Sequence, residues 1–357
     1  MHRILHGKYR IFLLMPHPFP QILFLVLLTG ATGIFISAAL SRLPTSLILP
    51  IPLFVTLPYT FTYLCVTHAA HHITPATHRV HLQAYPYDRV LFHPGNACST
   101  CRLTKPARSK HCSLCGTCIA TCDHHCPWIN NCVGRGNCRY FLALLFSLTV
   151  VEVYGAYLAY YILRPWLTFN TNHPLLSLAR WQANLDTVIY AIYRGGLSIA
   201  GVGLLAASTF LLPLGLLLYH CYLIWAGMTT NESQKWADWR DDIADGVVFK
   251  AKFSALQKHN RLRRRHAQAD GSSPPSERSN NNPALTTASP SEGDPDAAVE
   301  VEVDWPISTD QILVRTRDGE PPMGQEALWT RIWSLSEVEN LYDLGGWDNF
   351  MEIMKGR

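Results

Sequence analysis

Twelve side chains able to bind a metal or attack a carbonyl are packed between residues 98 and 138: Cys98, Cys101, His111, Cys112, Cys115, Cys118, Cys122, His124, His125, Cys126, Cys132 and Cys138. Two Cys-x-x-Cys pairs, 98/101 and 112/115, are each followed by further Cys and His at spacings that can complete a tetrahedral zinc site. The residues between them are polar and leave little to bury, so bound zinc would supply much of the local folding free energy, of order 10 kcal/mol per site. Two closed four-ligand sites use eight of the twelve side chains and leave four over. A reactive thiol belongs among those four, because the thiolates of a closed site are already occupied. Spacing alone does not choose them. Asp123, His124 and Cys126 form a set with chemistry of its own: an imidazole can take the thiol proton, and a carboxylate can fix the imidazole tautomer and stabilise imidazolium.

The elements that must position this cluster are apolar. Hydrophobic side chains make up 48% of the 357 residues and charged ones only 16%, a composition that points to a membrane protein. Residues 21–40 contain no charge and are long enough at 1.5 Å per residue to cross about 30 Å of hydrocarbon. A second run, 46–66, follows after a short connection, which suits a helical hairpin better than a cleaved signal peptide. Further spans are expected at 141–163 and within 196–227, the last tilted, kinked at Pro213 or continued past the bilayer. Four spans place both termini on one side. From Arg79 to Arg139 there are eight Lys or Arg against two acids, while the first of the other two connections holds only Arg42 and the second Arg164, Arg180 and Arg194. The excess marks the termini and the cysteine-rich loop as cytosolic. Nine of the eleven cysteines lie in that loop, as expected for metal binding in a reducing compartment rather than disulfides. A net charge of +4 gives no reason to expect a nucleic-acid partner. The fold expected is therefore an all-α integral membrane protein, with four transmembrane helices and a cytosolic two-zinc cysteine-rich domain between the second and third spans.

From Cys98 to Phe141 the chain follows C-x2-C-x9-HC-x2-C-x2-C-x4-DHHC-x5-C-x4-N-x3-F at every fixed position. It thereby resembles the DHHC protein S-acyltransferases, or palmitoyltransferases. "TTNE" at 229–232 fits the TTxE motif of that family, and "NLYDLGGWDN" at 340–349 fits its C-terminal aromatic and asparagine motif. The resemblance implies one zinc on Cys98, Cys101, His111 and Cys118, and a second on Cys112, Cys115, His125 and Cys132. It makes Cys126 the nucleophile, His124 the base and Asp123 its orienting partner. Thr230 is then expected near Asp123, Asn349 as an anchor of the C-terminal segment, and Trp128 beside the reacting thioester. Lys105, Arg108 and Lys110 are expected to meet the CoA phosphates. Palmitoyl-CoA would be the acyl donor, membrane lipid the surroundings, and transmembrane proteins with juxtamembrane cysteines the acceptors. Residues 85–115 are similar to the fungal spore-wall-formation branch, which implies SNARE substrates and residence in the endoplasmic reticulum, with the Golgi as the other location.

The organisation expected is a cytosolic N-terminus (1–20), spans one and two (21–66), the cysteine-rich domain (67–140), spans three and four (141–227), the TTxE segment with a cytosolic helix (228–260), a disordered insert (261–325) and an ordered C-terminal motif (326–357). The insert is rich in Ser, Pro, Asn and Gly and has little to bury. Histidines between His68 and His81 show no closed ligand spacing and are expected at the membrane interface. Two other functions compete with acyl transfer. A membrane-anchored zinc module that recruits partners would leave the Asp123, His124 and Cys126 set without a purpose. A metal transporter needs ionisable groups facing one another within the spans, and Glu152 is almost the only one.

Overall fold

A computed structural model describes residues 18–68, 71–169, 174, 177–269 and 303–356. In chain order these form α1 (Phe19–Ala39), α2 (Thr45–Ile48), α3 (Ile51–Thr67), β1 (His72–Ile73), α4 (His78–Leu82), β2 (Lys110–Cys112), β3 (Thr117–Ile119), β4 (His124–Cys126) and β5 (Asn131–Val133). They continue as α5 (Cys138–Leu163), α6 (Leu178–Gly195), α7 (Leu197–Thr209), α8 (Leu211–Trp225), α9 (Thr230–Ala244), β6 (Val248–Ala251), α10 (Phe253–Ala269), β7 (Ile312–Arg315), β8 (Thr330–Arg331) and α11 (Gly346–Lys355). The chain divides into two compact units, one of residues 1–69 with 125–222, the other of 70–124 with 223–357. The cysteine-rich stretch expected as a single domain over 67–140 is thus shared between them, with the division falling between His124 and His125.

Among the described residues, four stretches are long and apolar enough to cross a membrane: Phe19–Arg42, Thr45–Thr67, Cys138–Trp166 and Leu197–Trp225. This is an integral membrane protein by length and composition. Pro20 sits in the first turn of α1, where a missing N–H costs nothing. Outward-facing Ile22, Val26 and Ile34 present apolar surface suited to lipid. Within this unit α5 packs on α3 and α7. Close approach to α7 depends on small residues: a Cβ on Gly203 would lie 2.3 Å from that of Ala159, so only glycine fits. Phe35, Ile51, Leu158, Ala159, Ile162 and Ile199 fill the core, and Arg42 closes one end by donating to the Gly195 carbonyl at 2.5 Å. The fourth span is broken at Phe210, between α7 and α8. Pro213 lacks the N–H that the Thr209 carbonyl would accept, so the kink expected there is a local break in the hydrogen-bond ladder.

The other unit is built around small sheets, which the all-α expectation did not include; the protein as a whole is mostly helical. β1, β3 and β2 form an antiparallel sheet in that spatial order, with Ile73 and His111 both opposite Cys118. β6 is flanked by β7 and β8, joining residues 248–251 to 312–315 and 330–331. Val90, Trp236, Ile243, Val248, Leu313 and Ile332 pack into one core beside this sheet. The expectation of disorder over 261–325 therefore fails at both ends: α10 runs to Ala269, and Leu313 and Val314 are buried strand residues. Residues 270–302 lie outside the described residues.

Candidate active site and metal centres

The first ligand set is assembled by two turns and a hairpin. The turn at Cys98 is closed by the Arg102 N–H on the Cys98 carbonyl at 2.8 Å and by the Cys101 N–H on Cys98 Sγ at 3.4 Å. Antiparallel pairing of β2 with β3 sets His111 against Cys118. His111 Nδ1 consequently lies 3.5 Å from Cys98 Sγ, 3.4 Å from Cys101 Sγ and 3.9 Å from Cys118 Sγ, and the four donor atoms fall within 4.8 Å of one another. Bonds of about 2.3 Å to sulfur and about 2.0 Å to nitrogen demand tetrahedral edges of about 3.5 Å, so three thiols and one imidazole at these distances fit zinc. No other polar group is needed to close the site.

The remaining four expected ligands form two half-sets. In the sheet-containing unit, the Cys115 N–H points to Cys112 Sγ at 3.4 Å across a turn made by Gly116, whose φ is +67°. In the helical unit, the β4–β5 hairpin brings His125 Nδ1 to 3.7 Å from Cys132 Sγ. Asn131 and Asn137 secure that hairpin: both side chains donate to the Cys65 carbonyl, at 3.0 and 3.1 Å, and Asn131 Oδ1 accepts the Cys132 N–H at 2.8 Å. Asn131 had no assigned role from sequence. Its signal was its place within the "NNC" preceding a metal ligand.

Asp123 is pinned from two sides. The Thr230 backbone N–H donates to Oδ1 at 2.7 Å and the Thr230 hydroxyl to Oδ2 at 3.0 Å. Thr230 begins α9, so the carboxylate takes up one of the unpaired N–H groups at a helix start, where negative charge is favoured. His124 Nδ1 lies 2.5 Å from Asp123 Oδ2. An ionised carboxylate can only accept, so Nδ1 carries the proton and Nε2 is left as the basic nitrogen. Asp123 is 8% exposed and His124 30%, so the acid is shielded while the imidazole remains reachable. Along β4 side chains alternate, so His124 and Cys126 share one side of the strand and His125 takes the other.

Cys126 is buried and lines an apolar cavity of 560 Å³ inside the helical unit. Trp128 and Ile129 of the same hairpin join α1, α3, α5, α7 and α8 in its wall. Trp128 keeps half its surface exposed, at 51%, so one edge of the indole remains outside.

Thr229 caps α9 through a reciprocal box in which the Glu232 N–H meets the Thr229 hydroxyl at 3.2 Å and the Thr229 N–H meets Glu232 Oε2 at 2.9 Å. The same carboxylate receives Arg108 twice, Nε at 2.8 Å and a terminal nitrogen at 2.7 Å. Arg108 also lies over the rings of Tyr342 and Tyr85, at 4.7 and 5.1 Å. Arg108 is 5% exposed and Glu232 1%. Arg108 therefore holds the fold together instead of waiting for a phosphate, which corrects the expectation from sequence. Lys105 and Lys110 do line an open pocket of 480 Å³, together with Tyr87, Phe92, Asn231 and Lys235. Lys235 stands 3.8 Å from the Phe92 ring centroid, and burial pulls its pKa down. Asn231 is buried, with its amide nitrogen lacking a partner.

At the C-terminus Asn349 is buried and makes hydrogen bonds through both ends of its amide. Its amide donates to the Trp225 carbonyl at 3.2 Å and to Asp343 at 2.7 Å, and its oxygen accepts the Leu344 N–H at 2.9 Å. The histidines expected at a membrane interface divide: His71 and His81 are buried, and His78 Nε2 pairs with the Thr104 carbonyl at 2.7 Å. Cys122 and Cys138 are buried thiols outside both ligand sets.

Comparison with known proteins agrees with this geometry. Residues 91–237 match the family described as DHHC palmitoyltransferase. The chain is 39% identical over 366 residues to palmitoyltransferase swf1 of Aspergillus fumigatus, covering 94% of this chain and 87% of that protein. It is 37% identical over 359 residues to palmitoyltransferase swf1 of Emericella nidulans, covering 94% and 79% respectively. Against palmitoyltransferase swf1 of Schizosaccharomyces pombe it is 38% identical over 195 residues, 55% of this chain and 52% of that one. With similarity running through the spans and the tail as well as the cysteine-rich stretch, this chain belongs to the DHHC palmitoyltransferase family.

Proposed function

We propose that the chain moves a palmitoyl group from palmitoyl-CoA to cysteines of membrane proteins through a thioester on Cys126. The observation that carries this reading is a buried thiol on the wall of an apolar cavity, where a fatty chain attached to sulfur has somewhere to go. His124 Nε2 takes the Cys126 proton while Asp123 holds the resulting imidazolium through Nδ1. The thiolate adds to the acyl-CoA carbonyl, the C–S bond to CoA breaks, and the departing thiolate takes back the proton from His124. A substrate cysteine then gives its proton to His124 and attacks the acyl-Cys126 carbonyl, and Cys126 leaves as a thiolate that is reprotonated. One thioester forms for each one broken, so the cycle needs no further energy source.

Zinc, when bound, supplies cross-links that the polar loop lacks. Cys98, Cys101, His111 and Cys118 hold one ion in this reading, and Cys112, Cys115, His125 and Cys132 the other. Lys105 and Lys110 meet CoA phosphates from their pocket, with Lys235 added and Arg108 withdrawn. Trp128 borders the reacting thioester. The lysine and arginine distribution supports a cytosolic cysteine-rich segment and cytosolic termini. SNARE-like acceptors and the endoplasmic reticulum are part of this reading through the resemblance of residues 85–115 to the spore-wall-formation branch, and a fluorescent fusion would check the location.

Incubating the detergent-purified protein with labelled palmitoyl-CoA tests the reaction. Wild type acquires a hydroxylamine-sensitive label; Cys126→Ser does not, and stays folded with its zinc. Unchanged turnover in Cys126→Ser would sink the mechanism. A recruiting module without catalysis would show no label in any variant.

A further inference from the structure

A helix at the surface of a water-soluble fold turns its apolar side inward, and α6 (Leu178–Gly195) does the reverse. At about 100° per residue, Leu178, Trp181, Leu185 and Ile189 fall on one stripe, and all four point away from the protein, 56 to 72% exposed. The inward side carries Arg180, Asn184, Thr187 and Ala191 instead, each buried or half-buried. Thr187 satisfies its hydroxyl within the helix, on the Ala183 carbonyl at 2.9 Å. Between these two sides lies a third, exposed and mixed, made of Ala179, Asp186, Tyr190 and Arg194. The helix therefore has a protein-facing side, an apolar side and a water-compatible side.

The apolar side runs on into surface that faces lipid. α6 follows the third span and is joined to α7, the start of the fourth, by Gly196 alone, at φ +96° and ψ 139°, a corner that favours glycine. Its C-terminal end is tied to the bundle: Ala191 and Gly195 are buried, the Gly195 backbone rests against the Leu163 side chain, and the Gly195 carbonyl accepts from Arg42. Just beyond the corner, Leu197 and Leu204 of the fourth span are exposed. Leu163 ends α5, whereas the hairpin carrying Cys126 precedes α5, so α6 sits at the opposite membrane face from that hairpin. Asp186 near its middle disfavours a crossing.

We propose that α6 is an interfacial helix, lying in the headgroup boundary of the leaflet opposite the Cys126 hairpin. Its Leu178–Ile189 stripe rests among acyl chains, and its Asp186 and Arg194 side faces water. The partner is phospholipid. A protein partner would have to cover a stripe flanked by Asp186 and Arg194 and continuous with lipid-facing Leu197, whereas a bilayer boundary supplies that passage from apolar to aqueous across a single helix diameter. Trp181, Tyr190 and Tyr193 suit the same boundary, each with an apolar ring and a polar tip. The helix holds two arginines and one aspartate, so docking does not require anionic headgroups.

The full chain in phosphatidylcholine vesicles tests this. Trp181 fluorescence, taken as wild type minus Trp181→Phe, should be quenched by lipid brominated near the headgroup end of its chains and much less by lipid brominated near the chain terminus. Photo-crosslinking from p-benzoylphenylalanine in place of Leu185 or Ile189 should give a phospholipid adduct, while the same group in place of Thr187 should react only within the chain. Leu185→Asp with Ile189→Asp should shift the docked-to-free balance by about 10²-fold, read as loss of the Trp181 quenching. Crosslinking from single exposed positions reads the same contact should that double variant fail to fold. Adducts joining two copies of the chain, or no lipid adduct from 185 and 189, overturn the proposal. Quenching strongest at the chain terminus overturns it too, in favour of a further crossing. Labelling of Cys126 should be unchanged in the crosslinkable chains, since none of these positions belongs to the transfer machinery.

Discussion

Replacing Glu232 by alanine removes one carboxylate that performs two tasks. It accepts two hydrogen bonds from Arg108, and by receiving the Thr229 N–H it completes the cap of the helix whose first residue holds Asp123. Arg108 is 5% exposed, so alanine leaves a buried guanidinium whose remaining company is the Gly227 carbonyl at 3.3 Å, two tyrosine faces and the field of the Glu352 carboxylate. Breaking a buried pair from one side costs about 3 to 5 kcal/mol, and losing half of a capping box adds about 1 kcal/mol. At about 2 to 4 °C per kcal/mol the unfolding midpoint should fall by at least about 8 °C. Because α9 supplies both donors that fix Asp123, the labelling rate should fall with it even in the fraction that remains folded. The assay pairs a thermal melt in detergent with single-turnover acylation at a temperature where the variant is folded. Arg108→Met with Glu232→Leu should recover much of the lost midpoint, since an apolar pair leaves no stranded charge. It should not recover all of the rate, because the cap is still missing. A Glu232→Ala protein that melts within about 2 °C of wild type would refute the reasoning, since that corresponds to only about 1 kcal/mol.

The other expectations are briefer. His124→Ala should cut acyl-enzyme formation by about 10²-fold or more while leaving metal content unchanged, whereas His125→Ala should lose zinc and stability together; metal analysis beside the labelling assay separates the two. Cys98→Ser should lose one bound zinc and unfold the β1–β3–β2 region, read as new amide exchange there. Lys105→Glu with Lys110→Glu should raise KM for palmitoyl-CoA with little effect on the melt, and the difference from wild type should shrink as salt rises. Burial lifts the Asp88 carboxyl to about 6 against an ordinary 3.8, although the N–H groups of Phe92, Val90 and Leu91 pull it down. The folded state thus binds a proton more tightly than the unfolded one, and this group's contribution is full below about pH 3.8 and declines as pH rises to about 6. The melting difference between wild type and Asp88→Asn should accordingly be more favourable to wild type at pH 4 than at pH 7.

Much of the site was legible because its chemistry is local. Cys98, Cys101, His111 and Cys118 lie within 21 residues, and a turn followed by a hairpin suffices to gather them. The spans were legible because membrane burial needs only length and the absence of charge. What could not be read from sequence depends on partners far along the chain. Arg108 looks like any surface arginine until Glu232, 124 residues later, folds back onto it. Residues 312–315 look featureless among polar neighbours, and only β6 gives them a ladder to join. The polar richness of the insert was real, but its boundaries were set by pairing and not by composition.

One consequence of the short strand β4 concerns inheritance more than chemistry. Alternation assigns its two histidines by odd and even position alone, with His125 turned toward the Cys132 thiol and His124 on the side of Cys126. On the proposed roles, loss or gain of a single codon here would exchange the two duties at one stroke, putting a ligand where a base is required and a base where a ligand is required. Substitutions nearby can be absorbed one at a time, but a shift in frame by one residue has no intermediate that works. The spacing of this tripeptide is therefore expected to resist change more stubbornly than the identity of most residues around it.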